Sequence, residues 1–231
     1  GTPGPFPVHD DAHRVLKDIT EWKNVIKSPN LIFSEEQWET AVKEAEAVDR
    51  ADQFVTPMIA PGLFERLHYF MGIEDSLVNF YDEPEATADL IKYLTEWELQ
   101  YAETLCSHIH PDALFHHDDW GSQISTFISP DMFAEFFVDA YKEIYGYYKS
   151  QGVELIVHHS DSYAATLVPY MIDMGIDIWQ GVMTTNNIPE LIRKYRGQIS
   201  FMGGIDSASV DHPGWTRDEI KQEVRRACGE C

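Results

Sequence analysis

Five short apolar runs punctuate this chain, at residues 54–59, 113–115, 154–157, 176–179 and 199–202. Runs of this length, rich in branched and aromatic residues and bounded by glycine, proline or polar clusters, read as strands buried on both faces. From the second onward they alternate with helical patterns, and the last three begin about 22 residues apart, the length of one compact strand and helix unit. Strands joined by such crossovers run parallel, so the chain is expected to build a parallel sheet with helices packed outside it.

Helix boundaries can be read directly. Ser34-Glu-Glu-Gln37 and Thr216-Arg-Asp-Glu219 fit the capping box, in which the first side chain caps the N–H three residues on and the Gln or Glu reaches back. Pro84 and Pro130 suit a first helical turn, and Ser129 stands as the cap before Pro130. After Pro130 the apolar residues Phe133, Phe136, Phe137, Ala140, Tyr141 and Ile144 recur at three and four, and Gly152 closes the helix. After Pro84 the same spacing runs through Ala86, Leu90, Leu94, Trp97 and Tyr101. A doubly wound sheet predicts a glycine-rich phosphate turn after an early strand, and neither G-x-G-x-x-G nor G-x-x-x-x-G-K-[ST] occurs. The pattern favours an α/β fold of the (β/α)8 TIM-barrel type, a single domain over residues 1–231. Five visible strands against about eight in a closed barrel lead to the expectation that the sequence holds part of one.

With 39 acidic against 17 basic residues the net charge is −22, which repels nucleic acid and anionic lipid. No apolar stretch approaches the roughly 18 residues of a spanning helix and no charged start leads into a signal-like core, so the expected location is the cytoplasm. Three cysteines are too few for a disulfide framework, and Cys228-x-x-Cys231 is a lone pair that signals a metal or redox site only weakly. Glu44, Glu46, Asp49 and Asp52 read as a solvated helix face, and His9, His13, His108, His110 and His212 as surface or loop residues.

In such folds chemistry gathers at the C-terminal ends of the strands. There the chain places Thr56 and Pro57, then His116, His117, Asp118 and Asp119, then His158, His159 and Asp161, then Gln180, then Gly203, Gly204 and Asp206. Successive strand residues alternate faces, so His117 and Asp119 share one face, His116 and Asp118 the other, and His158 is split from His159. We take His117 and Asp119 as the inward pair. Two histidines and two carboxylates converging on one mouth suit metal binding or general acid and base work, although no local spacing matches a closed zinc motif. The plainer alternative is structural: Asp119 caps a turn, Trp120 and Gln123 pack and hydrogen-bond, and the histidines are satisfied buried donors.

Taken together, several motifs resemble the uroporphyrinogen decarboxylase superfamily. They are G-P-F-P-V-H at 4–9, T-P-M-I-A-P-G-L-F-E-R at 56–66, H-H-D-D-W-G-S-Q at 116–123, S-P-D-M-F at 129–133, V-H-H-S-D at 157–161, M-G-I-D-I at 174–178 and F-M-G-G-I-D at 201–206. The resemblance spans essentially the whole chain and implies a (β/α)8 barrel with a deep cleft at its C-terminal face. It also implies one of two chemistries. The first removes carboxylates from the acetate side chains of uroporphyrinogen III without a cofactor. The second transfers methyl groups to or from a corrinoid, commonly with a zinc ion and a separate corrinoid protein. The decarboxylases' arginines and substrate-binding Asp would precede Gly1, and their late histidine would follow Cys231. Their tyrosine falls at His68 or Tyr69. Their serine falls near Asp119, where a carboxylate that can only accept replaces a hydroxyl. The methyltransferases' His-x-Cys falls at His158-His159-Ser160, without the thiolate that zinc favours.

The resemblance points first to a corrinoid-dependent methyltransferase acting on a small methylated substrate. Decarboxylation of uroporphyrinogen or a related carboxylate is the alternative, and a non-catalytic or incomplete binding chain the third possibility. The expected catalytic residues are Asp119, His117 and His158. The expected ligands of a zinc ion are His117, Asp119, His158 and His159. Expected substrate contacts are Tyr69, Trp120, Gln123, Asp161, Gln180 and Asp206, with Gln123 and Asp161 also orienting their neighbours. The expected cofactors are zinc and a corrinoid on a partner protein, or none in a decarboxylase. Expected partners are a small-molecule substrate, the corrinoid protein and a second copy of the chain, with neither nucleic acid nor membrane.

Overall fold

In the computed structural model, which describes residues 12–229, one five-stranded sheet organises the chain. Its strands are β1 (Met58–Ile59), β2 (Ala113–His117), β3 (Leu155–His159), β4 (Ile178–Val182) and β5 (Ser200–Gly203). Each pairs in parallel with its neighbour in the chain, in the order β1-β2-β3-β4-β5. A doubly wound sheet reverses its strand order at a switch point, whereas this order never reverses, which is the course of a barrel wall. The G-P-F-P-V-H start with His9, and Cys231 of the C-x-x-C pair, lie outside the described residues; Cys228 is exposed.

The caps form where the sequence places them. Ser34 and Gln37 exchange both bonds of a capping box ahead of Glu35–Glu46, and Thr216 and Glu219 do the same ahead of Arg217–Gly229. Pro84 opens the long helix Pro84–Ile109, and Ser129 Oγ accepts from the Met132 N–H beside Pro130. The segment after Pro130 is not uniform. Pro130–Phe133 passes through a π-helical turn, Ala134–Val138, into Asp139–Ser150. Phe133, Phe137, Tyr141 and Tyr145 recur every four residues, more than the roughly 3.6 of an α-helix, and the wider turn helps keep all four buried.

Two features differ from the expected runs. Of residues 54–59 only Met58–Ile59 is strand. Pro57 has no N–H for a ladder, and Val55 is tied to Asp112, its N–H to Oδ2 at 2.8 Å and its carbonyl to the backbone N–H. β2 and β3 instead run two residues further, so both histidine pairs belong to strands, His116 beside His158 and His117 beside His159. The sheet's outer face buries Ile59, Leu114, Ile156 and Trp179 against the helices, while Met58 and Met202 on the inner face are largely exposed. Glu44, Glu46, Asp49 and Asp52 are all exposed, but His108 is not a free surface residue: its ring stacks on Trp38 at 4.3 Å. No helix among the described residues is long and apolar enough to cross a membrane.

Candidate active site at the strand ends

Strand alternation divides the titratable run at the ends of β2 and β3. His116, Asp118 and His158 are fully buried, whereas His117, Asp119 and His159 are partly open on the inner face. One potential ligand atom from each of these last three lies within 4.8 Å of the others. The His117 and His159 rings stack with centroids 4.5 Å apart, and His117 Nε2 lies 3.7 Å from Asp119 Oδ2. Gln180, on the neighbouring strand, accepts from His159 Nδ1 through Oε1. An amide oxygen only accepts, so Nδ1 carries the proton and Nε2 keeps its lone pair. Gly181 leaves space for this ring: its φ is +87°, and a Cβ there would sit 3.0 Å from His159 Cε1.

A residue that sequence reasoning missed completes the mouth. Glu65, buried in the helix Leu63–Met71, places Oε2 3.1 Å from His117 Nε2, and Tyr69 Oη lies 3.5 Å from its other oxygen. Asp118 puts it there. Its carboxylate accepts from the N–H groups of Phe64 (2.9 Å) and Glu65 (2.8 Å), satisfying donors that every helix start leaves open. It also accepts from Trp120 Nε1 at 2.9 Å and from the Tyr141 hydroxyl. Gly62 permits this approach, since a Cβ at that position would meet Asp118 Cβ at 2.4 Å.

The electrostatics follow from burial and crowding. Burial pushes Asp119 up to about 6, Asp161's charge adds to this, and His117 opposes it. The Asp161 N–H also donates to Asp119 Oδ1 at 3.0 Å. The bond to Glu65 raises His117 above the ordinary imidazole value, outweighing its burial. Burial and the Glu65 charge push Tyr69 up to about 12 and Asp118 up to about 6. The mouth therefore joins a carboxylate and an imidazole that can exchange protons near neutral pH, beside three potential metal donors.

Other expected site residues stand elsewhere. His158 faces the helices: its ring stacks on Trp120 at 3.9 Å, Nε2 meets the Asp118 carbonyl at 3.1 Å, and Nδ1 meets the Tyr145 hydroxyl at 3.0 Å. Burial holds its pKa well below the ordinary value. With both nitrogens engaged in the core, His158 leaves the catalytic and ligand sets. Trp120 is buried with its N–H on Asp118, so it packs the wall instead of contacting substrate. Gln123 lies exposed in the turn bridged by Gly121 and Thr126, and Asp206 follows β5 with its N–H on Glu223. Asp161, Gln180 and Tyr69 adjoin the mouth through Asp119, His159 and Glu65.

Behind β2 and β3 lies a second polar group, in which His116, Glu98 and Tyr145 are fully buried and Arg66 nearly so. The Tyr145 hydroxyl also meets His116 Nδ1 at 2.8 Å, and His116 Nε2 lies 3.3 Å from Glu98 Oε2, while Arg66 pairs with the other Glu98 oxygen at 2.9 Å. Against the cost of burial, Arg66 and His116 hold the Glu98 carboxyl below the usual carboxylate range.

The uroporphyrinogen decarboxylase (URO-D) family model matches residues 46–230. No curated protein sequence matches the chain. Among solved structures it is similar to a methyltransferase from Methanosarcina mazei, with a TM-score of 0.63 and 16% identity over 99% of this chain. The chain spans 62% of that protein's length, and at this identity the likeness is one of fold. The family match takes in every residue of the mouth, and the chain belongs to the uroporphyrinogen decarboxylase family.

Proposed function

We propose that this chain forms the catalytic mouth of a corrinoid-dependent methyltransferase that takes a small methylated substrate and works with a separate corrinoid protein. The observation that supports this most is the convergence of His117, Asp119 and His159, with donor atoms within 4.8 Å, on adjacent strand ends. Two imidazoles and a carboxylate suit zinc, whose nitrogen and oxygen ligands stand at about 2.0–2.2 Å and whose catalytic sites keep one position open. When bound, the ion would supply a Lewis acid for the methyl-bearing heteroatom of the substrate. The chain's own groups orient the donors: the Gln180 side chain holds His159, and the backbone N–H of Asp161 holds Asp119. With its carboxyl pushed up to about 6, Asp119 can hold a proton near neutral pH when no cation claims it.

Charge favours methyl transfer over uroporphyrinogen decarboxylation. Glu65, Asp119 and Asp161 crowd the mouth, and a carboxylate-rich tetrapyrrole would meet their repulsion. Decarboxylation of a carboxylate substrate is the second reading, favoured by Asp119 beside His117, a pair able to deliver a proton to the carbon losing CO2. One experiment separates the two. Purified protein is assayed for methylation of cob(I)alamin from a panel of methoxy, methylamine and thiol compounds, with uroporphyrinogen in parallel and metal content measured. Corrinoid methylation dependent on one stoichiometric metal is expected; turnover of uroporphyrinogen without corrinoid methylation would overturn the proposal.

A further inference from the structure

We propose that Met202 is a specificity-determining residue of the mouth: its thioether, in one inner-face row with His117, His159 and Gln180, seats the hydrocarbon part of the methylated substrate. The inference deepens the methyl-transfer reading and rests on it.

Strand register sets the row. His117 pairs with His159, His159 with Gln180 and Gln180 with Met202, across four neighbouring parallel strands. Residues paired in this way present their side chains to the same face of the sheet. The residue before Met202 fixes the direction. The Phe201 ring lies 6.1 Å from that of buried Trp179 on the outer face, so Met202 is turned inward. Neighbouring strands stand about 4.8 Å apart, which puts the Met202 backbone about 10 Å along the row from that of His159.

The end of β5 keeps this side chain uncovered. Met202 is 50% exposed, and the two residues after it, Gly203 and Gly204, carry no side chain to fold over the thioether. Gly203 admits none, since its φ is +149° and a Cβ there would stand 2.6 Å from the Val182 carbonyl oxygen. The turn is also tied down from behind. The Gly204 N–H donates to the Val182 carbonyl at 2.8 Å, Arg226 Nη2 to the Gly204 carbonyl at 2.7 Å, and the Asp206 N–H to Glu223 Oε1 at 2.7 Å. Met202 thus stands on an anchored strand end that is open toward the mouth.

Its chemistry differs from that of the rest of the row. Histidine and glutamine form strong hydrogen bonds, whereas a thioether is a weak acceptor that offers apolar, polarisable surface and adapts to what it touches. A methylated substrate has two parts to place. The methyl-bearing heteroatom suits the donors, and a hydrocarbon substituent leaves water against the thioether. The class selected is therefore the alkyl and aryl methyl ethers and sulfides, over methyl compounds with a polar substituent. Exposure by itself carries no such meaning. Met58 is 64% exposed but lies one row lower on β1, beside Phe115, and serves as the control.

The test reads the side chain directly. Protein whose methionines carry 13C in the methyl group is titrated with methoxybenzene, the signals being assigned by their loss in Met202→Leu and Met58→Leu. The Met202 methyl should shift while that of Met58 stays still, and 2-methoxyethanol should move neither. In methylation of cob(I)alamin, Met202→Gln, similar in length but polar, should lower kcat/KM for methoxybenzene about 10-fold or more, chiefly through KM. Met202→Leu should recover most of that loss. An unmoved Met202 signal, equal shifts at Met58 and Met202, or a Met202→Gln enzyme with wild-type kcat/KM for methoxybenzene would each overturn the proposal. If wild type methylates no cob(I)alamin, the methyl-transfer reading fails by itself, and the labelled methyl still decides whether Met202 lines a binding site.

Discussion

Gly62→Ala should destabilise this protein, against the usual sign of that change. Gly62 has φ −80° and ψ −168°, which alanine adopts freely. At such a position the substitution ordinarily stabilises by about 0.4–1 kcal/mol, because the unfolded chain loses freedom. Here the new Cβ would stand 2.4 Å from Asp118 Cβ and 2.6 Å from Asp118 Cγ, where carbon atoms settle at about 3.5–4.0 Å. Relief requires a shift of about 1 Å or more. The obstructing atom is the first of its side chain, so the Asp118 backbone must move and draw the carboxylate off the Phe64 and Glu65 amides. Two hydrogen bonds to a charged group, at about 1.5–3 kcal/mol each, and an overpacking cost of about 1–3 kcal/mol far exceed the entropic gain. A net loss of about 3 kcal/mol or more is a large share of the roughly 5–15 kcal/mol that holds a domain together. With a urea slope of about 1–3 kcal/mol per molar, the midpoint should fall by about 1 M or more. Urea unfolding followed by far-UV circular dichroism measures this, and hydrogen exchange at Phe64 and Glu65 should accelerate with it. A variant with an unchanged or higher midpoint, and with both amides still protected, would refute the close approach of Gly62 and Asp118.

The two adjacent histidines should part company: His159→Ala abolishes cobalt(II) binding, whereas His158→Phe retains it and costs about 1–3 kcal/mol of stability as the Asp118 carbonyl and Tyr145 lose their partner. Isothermal titration with cobalt, beside urea midpoints, distinguishes them, and equal loss of binding in both would contradict the division of faces. The folded-state pKa of Asp119 lies at about 6, above the ordinary 3.8, so the stability it contributes is complete below the lower value and is lost as pH rises through the upper one. Asp119→Asn stays neutral throughout and should gain on wild type by up to about 3 kcal/mol across that window, as read from unfolding midpoints at stepped pH. A wild-type minus variant difference that stays flat would exclude the raised value.

Much of this was legible from the chain because it depends on period and local chemistry. The split of His117 and Asp119 from His116 and Asp118 follows from strand alternation as soon as the run is placed at a strand end. Ser34 with Gln37, and Thr216 with Glu219, announce their helices because a capping box closes within four residues. What could not be read involves partners far apart in sequence. Glu65 sits in an amphipathic helix, where a glutamate looks solvent-facing, and only the fold brings it to His117; the one local hint was the glycine at 62, three residues ahead. The choice between His158 and His159 depended on where β3 ends, and the apolar run stopped two residues short of that point. Trp120 resembled a substrate platform because its partner, Asp118, was counted among the charged group instead of among the packing residues.

The buried Tyr145 bridge has a consequence for the wall behind the mouth. A hydroxyl has one proton to give, and this one meets a ring nitrogen on either side. The Asp118 carbonyl can only accept, so His158 donates to it from Nε2 and, being neutral, offers a bare Nδ1 to the Tyr145 proton. The Tyr145 oxygen is then left to receive the proton of His116 Nδ1. A single backbone carbonyl thereby dictates the polarity of three successive bonds, and none can be reversed unless all are. The chain of bonds from the Asp118 carbonyl to His116 Nδ1 has one proton arrangement, and the strands that present His117 and His159 are backed by it.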